Sequence, residues 1–118
     1  MIYHITSREA WNQARQRGDY RADSLETEGF IHCSTEEQVI PVAEQFFKGD
    51  QDLYLLMIEP SLLSSDLKWE SPAEGTPPPG VPAGDLFPHI YGAINLDAVV
   101  KVFDLQSNPD GKYNFPPK

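Results

Sequence analysis

The sequence holds a single cysteine, Cys33, so no disulfide can form within its 118 residues. That usage fits a reducing compartment, and a cytoplasmic location is expected. No apolar run approaches the roughly 20 residues that a membrane-spanning helix needs. The opening residues Met1-Ile2-Tyr3-His4 lack the basic and then apolar layout of a signal peptide. Cations are scarce: nine lysines and arginines face eighteen acidic residues, a net charge of −9. The imbalance is uneven. Residues 1–22 carry +2 through Arg8, Arg15, Arg17 and Arg21, whereas residues 23–110 carry −13. Phosphate backbones are held by clustered basic side chains, so generic nucleic-acid binding is not expected, nor is attachment to an anionic membrane. Neither a Gly-rich phosphate loop nor a Gly-x-Ser-x-Gly nucleophile elbow is present.

What is present is globular in proportion: 40% apolar, 11% aromatic and 23% charged residues. The length suits one domain with one core. Ile2–Thr6 reads as a strand. Ser7 is a candidate cap for a helix over 8–17, with Trp11 and Ala14 inward and Gly18 as its stop. Residues 19–29 read as a loop with a short strand around Tyr20–Ala22, and Phe30–Ser34 as the next strand. Thr35 and Gln38 form a capping box for a second helix that Gly49 ends. Val39, Ala43 and Phe46 make its apolar stripe, and Pro41 should kink it or displace its start. Leu53–Glu59 is an apolar run of strand length, expected at the centre of a sheet. Leu67–Glu70, Leu86–Tyr91 and Val99–Leu105 read as strands. The segment 72–84, with five prolines and three glycines, reads as a loop that could flank a site. The order favours an α+β fold: a small split, largely antiparallel sheet with two main helices. Residues 1–105 form the expected domain and 106–118 a C-terminal tail.

Three histidines stand out. Each is followed two residues on by a hydroxyl: His4–Thr6, His32–Ser34 and His89–Tyr91. Residues i and i+2 of a strand share a face, so each pair projects to one side. Phe30 joins the second pair and Phe87 the third. A strand histidine is commonly just a hydrogen-bonded, half-buried ring. Three together could instead line a cleft for a polar molecule with a planar part, such as a nucleotide. Three imidazoles could also hold a zinc ion, since ligands far apart in sequence can converge, although no metal is expected. Alternation turns Cys33 away from His32 and Ser34, toward the core. Glu28, Glu59 and Asp85 are the acidic candidates.

Four stretches carry a family resemblance: Ile2-Tyr3-His4-Ile5-Thr6, Tyr20-Arg21-Ala22-Asp23-Ser24-Leu25, Glu28-Gly29-Phe30-Ile31-His32-Cys33-Ser34-Thr35 and Leu86-Phe87-Pro88-His89-Ile90-Tyr91-Gly92. With Asn95-Leu96 they resemble the bacterial family catalogued as domain of unknown function 952. The resemblance implies a split sheet like that of the ADP-ribosyltransferase superfamily. More distantly, Tyr3-His4-Ile5-Thr6 and Ile31-His32-Cys33-Ser34 are similar to segments of the NAD-dependent RNA 2′-phosphotransferases. That similarity implies NAD as a co-substrate, with His4 on its adenosine side and His32 and Ser34 about the nicotinamide ribose. His89 falls where protein-modifying ADP-ribosyltransferases place a glutamate. The expected activity is therefore binding of NAD or a related nucleotide, with possible cleavage of the nicotinamide–ribose bond. His32 and His89 are the catalytic candidates. His4, Thr6, Arg21, Ser34, Phe87 and Tyr91 are the binding candidates. The alternatives are a non-catalytic ligand-binding or interaction module and a three-histidine metal enzyme.

Overall fold

The computed structural model describes residues 1–73 and 75–117. The described residues form eight strands and three helices, which alternate as far as β4 and give way to strands after it. They are β1 (Ile2–Ser7), α1 (Arg8–Arg17), β2 (Asp19–Tyr20), α2 (Ser24–Thr27), β3 (Ile31–His32), α3 (Glu36–Phe46), β4 (Leu53–Ile58), β5 (Asp66–Glu70), β6 (Phe87–Tyr91), β7 (Ile94–Asn95) and β8 (Val99–Leu105). Short 3₁₀ turns lie at Pro60–Leu62 and Leu96–Ala98. The strands form two three-stranded sheets, β1-β4-β8 and β3-β6-β5, and the pair β2-β7. Every described pairing is antiparallel. The fold is thus α+β, as expected, with a third helix of one turn added. No helix among the described residues is long and apolar enough to cross a membrane.

β4 is central because both of its faces are apolar. Leu56 and Ile58 enter a core with Ile2, Trp11 and Ala14, beneath α1. Leu53 and Leu55 enter a second core with Tyr3, Ile5, Val39 and Ala43, beneath α3. Period-two alternation in β1 and β4 therefore sorts one sheet's side chains into two layers. Ser7 caps α1 by accepting the Ala10 N–H at 3.0 Å, and Gly18 ends the helix at φ +103°.

Several expectations are corrected. The strand read at Phe30–Ser34 splits between two sheets. Ile31 and His32 pair with β6, whereas Ser34 exchanges both backbone bonds with Tyr3 of β1 at 2.8 Å. α3 runs through Pro41 to Phe46, and Pro41 packs on the 72–84 loop at Gly80. Phe46, assigned to the core stripe, is 51% exposed because it lies on the helix's last turn. Residues read as a tail fold back. Ser107 bridges Tyr113, which is buried in the second core and donates its hydroxyl to the Phe47 carbonyl at 2.6 Å.

Candidate functional site

β1 is the edge of its sheet, and beyond Tyr3 no described residue pairs with its outer side. Tyr3 turns its N–H and C=O to Ser34. Alternation turns those of Ile5 the same way, with no backbone partner among the described residues. The two main sheets therefore part just past one bridge. A cavity of about 490 Å³ fills the split. Its walls come from β1 (His4–Ser7), the 20–24 segment, His32–Ser34, the end of α3 and β6. Pro72, Ala73 and Pro78 of the proline-rich loop close one side.

All three histidines line this cavity, together with Thr6, Arg21, Ser34 and Phe87. Tyr91 does not. Of the acidic candidates, Glu28 pairs with His32, Asp85 accepts from the Gln38 side chain at 3.4 Å, and Glu59 caps the 3₁₀ turn at Ser61. The only charged side chains lining the cavity, among the described residues, are Arg21 and Asp23. Arg21 is mostly exposed and pairs with Asp19 at 3.2 Å.

Each histidine has a distinct set of hydrogen-bond partners. His4 is buried, with Nδ1 2.6 Å from the His32 carbonyl and Nε2 2.8 Å from the Tyr20 hydroxyl. A carbonyl only accepts, so Nδ1 carries the proton. Burial lowers the ring's pKa from 6.5 to about 4, so it is neutral at pH 7 and Nε2 accepts. Tyr20 therefore donates to Nε2. With that proton engaged, its oxygen, 2.8 Å from Thr6 Oγ1, accepts a hydrogen bond from the Thr6 hydroxyl. Thr6 is left presenting lone pairs. Burial also raises the Tyr20 pKa to about 12, which keeps this relay protonated.

His32 is more open. Its side chain is 40% exposed and its Nε2 meets Glu28 Oε2 at 2.9 Å. His89 is 3% exposed, and its Nδ1 meets Glu70 Oε1 at 2.8 Å. The same carboxylate oxygen accepts the Tyr91 hydroxyl at 2.5 Å. These two hydrogen bonds, Tyr91's first, hold Glu70 below the usual carboxylate range. Phe30 stacks on His89 with centroids 4.2 Å apart and lies 4.8 Å from His32.

The geometry changes two expected roles. With both nitrogens bonded to protein, His4 has none left for a ligand, so it orients Tyr20 and Thr6 instead. For the same reason it cannot join a three-histidine zinc site, and no group of three or more possible metal ligands occurs among the described residues. Tyr91 acts on Glu70, outside the cavity lining. Cys33 is buried beside Ile31 and Ile90, and burial pushes its thiol pKa up, so it remains a protonated core residue. Sequence reasoning missed Tyr20 and Glu70. Sequence alone puts Tyr20 on a short strand and marks no role for it. Glu70 lies diagonally across from His89, but a 16-residue connection separates β5 from β6.

The family model described as protein of unknown function (DUF952) matches residues 5–102. Among solved structures, the crystal structure of protein CC0527 from Caulobacter crescentus is 33% identical, covering 96% of this chain and 92% of that one, with a TM-score of 0.81. A double mutant of that protein aligns with the same TM-score at 32% identity and the same coverage. Its solution structure is 35% identical, with a TM-score of 0.74 over 94% and 89% of the two chains. No curated protein matches the sequence. With the matched region spanning β1 to β8, the chain belongs to the DUF952 family.

Proposed function

We propose that the cavity binds NAD or a related nucleotide by its nicotinamide–ribose end and cleaves the bond between them. The carrying observation is the free edge of β1 inside the cavity. Ile5 offers a backbone donor and acceptor there, and the His4–Tyr20–Thr6 relay makes Thr6 an acceptor. That set is complementary to a carboxamide, whose oxygen accepts and whose amino group donates twice. Phe87 gives the planar ring an apolar wall, and Ser34 stands on the facing strand. With one arginine in its lining, the cavity suits a weakly charged ribosyl portion, its phosphates at the rim near Arg21. The volume falls within the range of roughly 300–1,000 Å³ typical of small-molecule sites. In the reaction the C1″–nitrogen pair leaves with nicotinamide, and the oxocarbenium-like ribose is captured by an acceptor. The resemblance of the β1 and β3 segments to NAD-dependent phosphotransferases supports the same reading.

The test is titration with NAD and ADP-ribose while following histidine ring signals. His32 and His89 should shift together at sub-millimolar ligand. Unmoved rings at millimolar ligand remove the nucleotide from consideration. A non-catalytic binding module would keep the shifts without turnover, and nicotinamide release abolished in His32→Ala rejects it.

A further inference from the structure

The geometry points to His89 as the proton acceptor of this cavity, positioned by Glu70 and Tyr91 to activate a water or hydroxyl nucleophile. His89 donates its near nitrogen, Nδ1, to Glu70. A carboxylate only accepts while ionised, so in the neutral ring the proton sits on Nδ1 and the lone pair on Nε2. Nε2 has no partner among the described residues, yet no buried side-chain nitrogen or oxygen there lacks one. The far nitrogen is therefore reachable, and His89 lines the cavity. Its ring is fixed on three sides: Phe30 stacks on it, His32 meets it edge-on at 5.6 Å, and Glu70 holds Nδ1.

Glu70 is held in turn by Tyr91, and Lys68 lies 4.8 Å above the Tyr91 ring. A hydrogen-bonded carboxylate behind an imidazole fixes its tautomer and stabilises the imidazolium formed on proton uptake. His32 has the opposite arrangement. Its far nitrogen is bound to Glu28, and both side chains are about two-fifths exposed. The two dyads are therefore unequal, and only His89 leaves its distal nitrogen without a partner among the described residues.

The step balances. The nucleophile's oxygen bonds to the ribose C1″ as the C1″–nitrogen pair departs with neutral nicotinamide. The nucleophile's proton passes to His89 Nε2 and then to bulk water. The base assignment stands on the free protein, and only the substrate rests on the nucleotide reading.

Nitrogen-15 spectra of histidine-labelled protein read the tautomer directly. Wild type should show His89 protonated at Nδ1, and Glu70→Ala should lose that preference. Tyr91→Phe should weaken it while the protein remains folded. Incubation with NAD in ¹⁸O-water should put one ¹⁸O into ADP-ribose, with the rate falling about 10²-fold or more in Glu70→Ala or His89→Ala. A wild-type His89 protonated at Nε2, or a tautomer indifferent to Glu70→Ala, overturns the assignment. NAD left intact alongside the expected tautomers removes the nucleotide reading and leaves the base in place.

Discussion

His32 and His89 stand directly opposite each other on β3 and β6, with ring centroids 5.6 Å apart at 72°. Phe30 lies against both, so one half-buried ring sets the spacing of two imidazoles. Phe30→Ala should cost about 1–2 kcal/mol, within the range for losing aromatic packing at a partly covered site. Loss of its ring current should also move the His89 ring protons downfield. Unshifted His89 protons would show that Phe30 does not stack there in solution.

The buried relay gives a second prediction. Tyr20→Phe removes the donor to His4 Nε2 and leaves that atom unsatisfied. The expected loss is about 1–3 kcal/mol by urea unfolding. His4→Ala should cost more, about 2–5 kcal/mol, because it also empties a buried volume. A Tyr20→Phe variant as stable as wild type would dismiss the relay as a structural element.

His4 also sets an acid dependence. Its folded pKa, about 4, lies below the ordinary 6.5. Between those values the unfolded chain binds more protons, so stability rises with pH and falls on acidification. The loss should begin near pH 6.5, be complete below about pH 4, and reach about 3 kcal/mol. Glu70, whose pKa is also lowered, adds a loss of the same sign at more acidic pH. Urea midpoints measured from pH 7 to pH 4 check the slope, and His4→Gln should flatten it.

Gly92 follows β6 at φ +153°, and a Cβ there would sit 2.9 Å from Ser65 Cβ. Ser65 cannot easily yield, because its hydroxyl holds the Ala93 carbonyl at 2.6 Å. Gly92→Ala should therefore destabilise the protein by about 1–3 kcal/mol. Adding Ser65→Gly should recover part of that loss, and additive effects would refute the clash.

Cys33 offers a cheap check on the core. The native thiol should resist an aromatic disulfide reagent at pH 8 and react at once in urea. Rapid native labelling would contradict its burial beside Ile31 and Ile90.

Much of this was legible where local rules govern. Ser7 and Gly18 bound α1, and the apolar run at Leu53 marked the central strand, because caps and burial on both faces leave direct marks in sequence. The i, i+2 rule placed His4 with Thr6 and His32 with Ser34 on the cavity wall. It also put Tyr91 on the face of His89, where both reach the same Glu70 oxygen, although Tyr91 lies outside the cavity lining. The partners were not legible. Tyr20 reaches His4 only because β2 pairs with β7 near the far end of the chain. Glu70 reaches His89 across a long connection that encodes no register. Nor does one sequence distinguish a histidine with both nitrogens bonded from one with a free lone pair.

The Tyr3–Ser34 bridge has a mechanical consequence. With the bond from His4 Nδ1 to the His32 carbonyl it makes three hydrogen bonds across the split, whereas β1 and β4 pair along six residues. Strain applied across the split falls on these few bonds before either ladder yields. The cavity's width is thus set by its most compliant seam. A ligand that spanned Ile5 on one lip and His89 on the other would act as the missing rungs, stiffening the joint by occupying it.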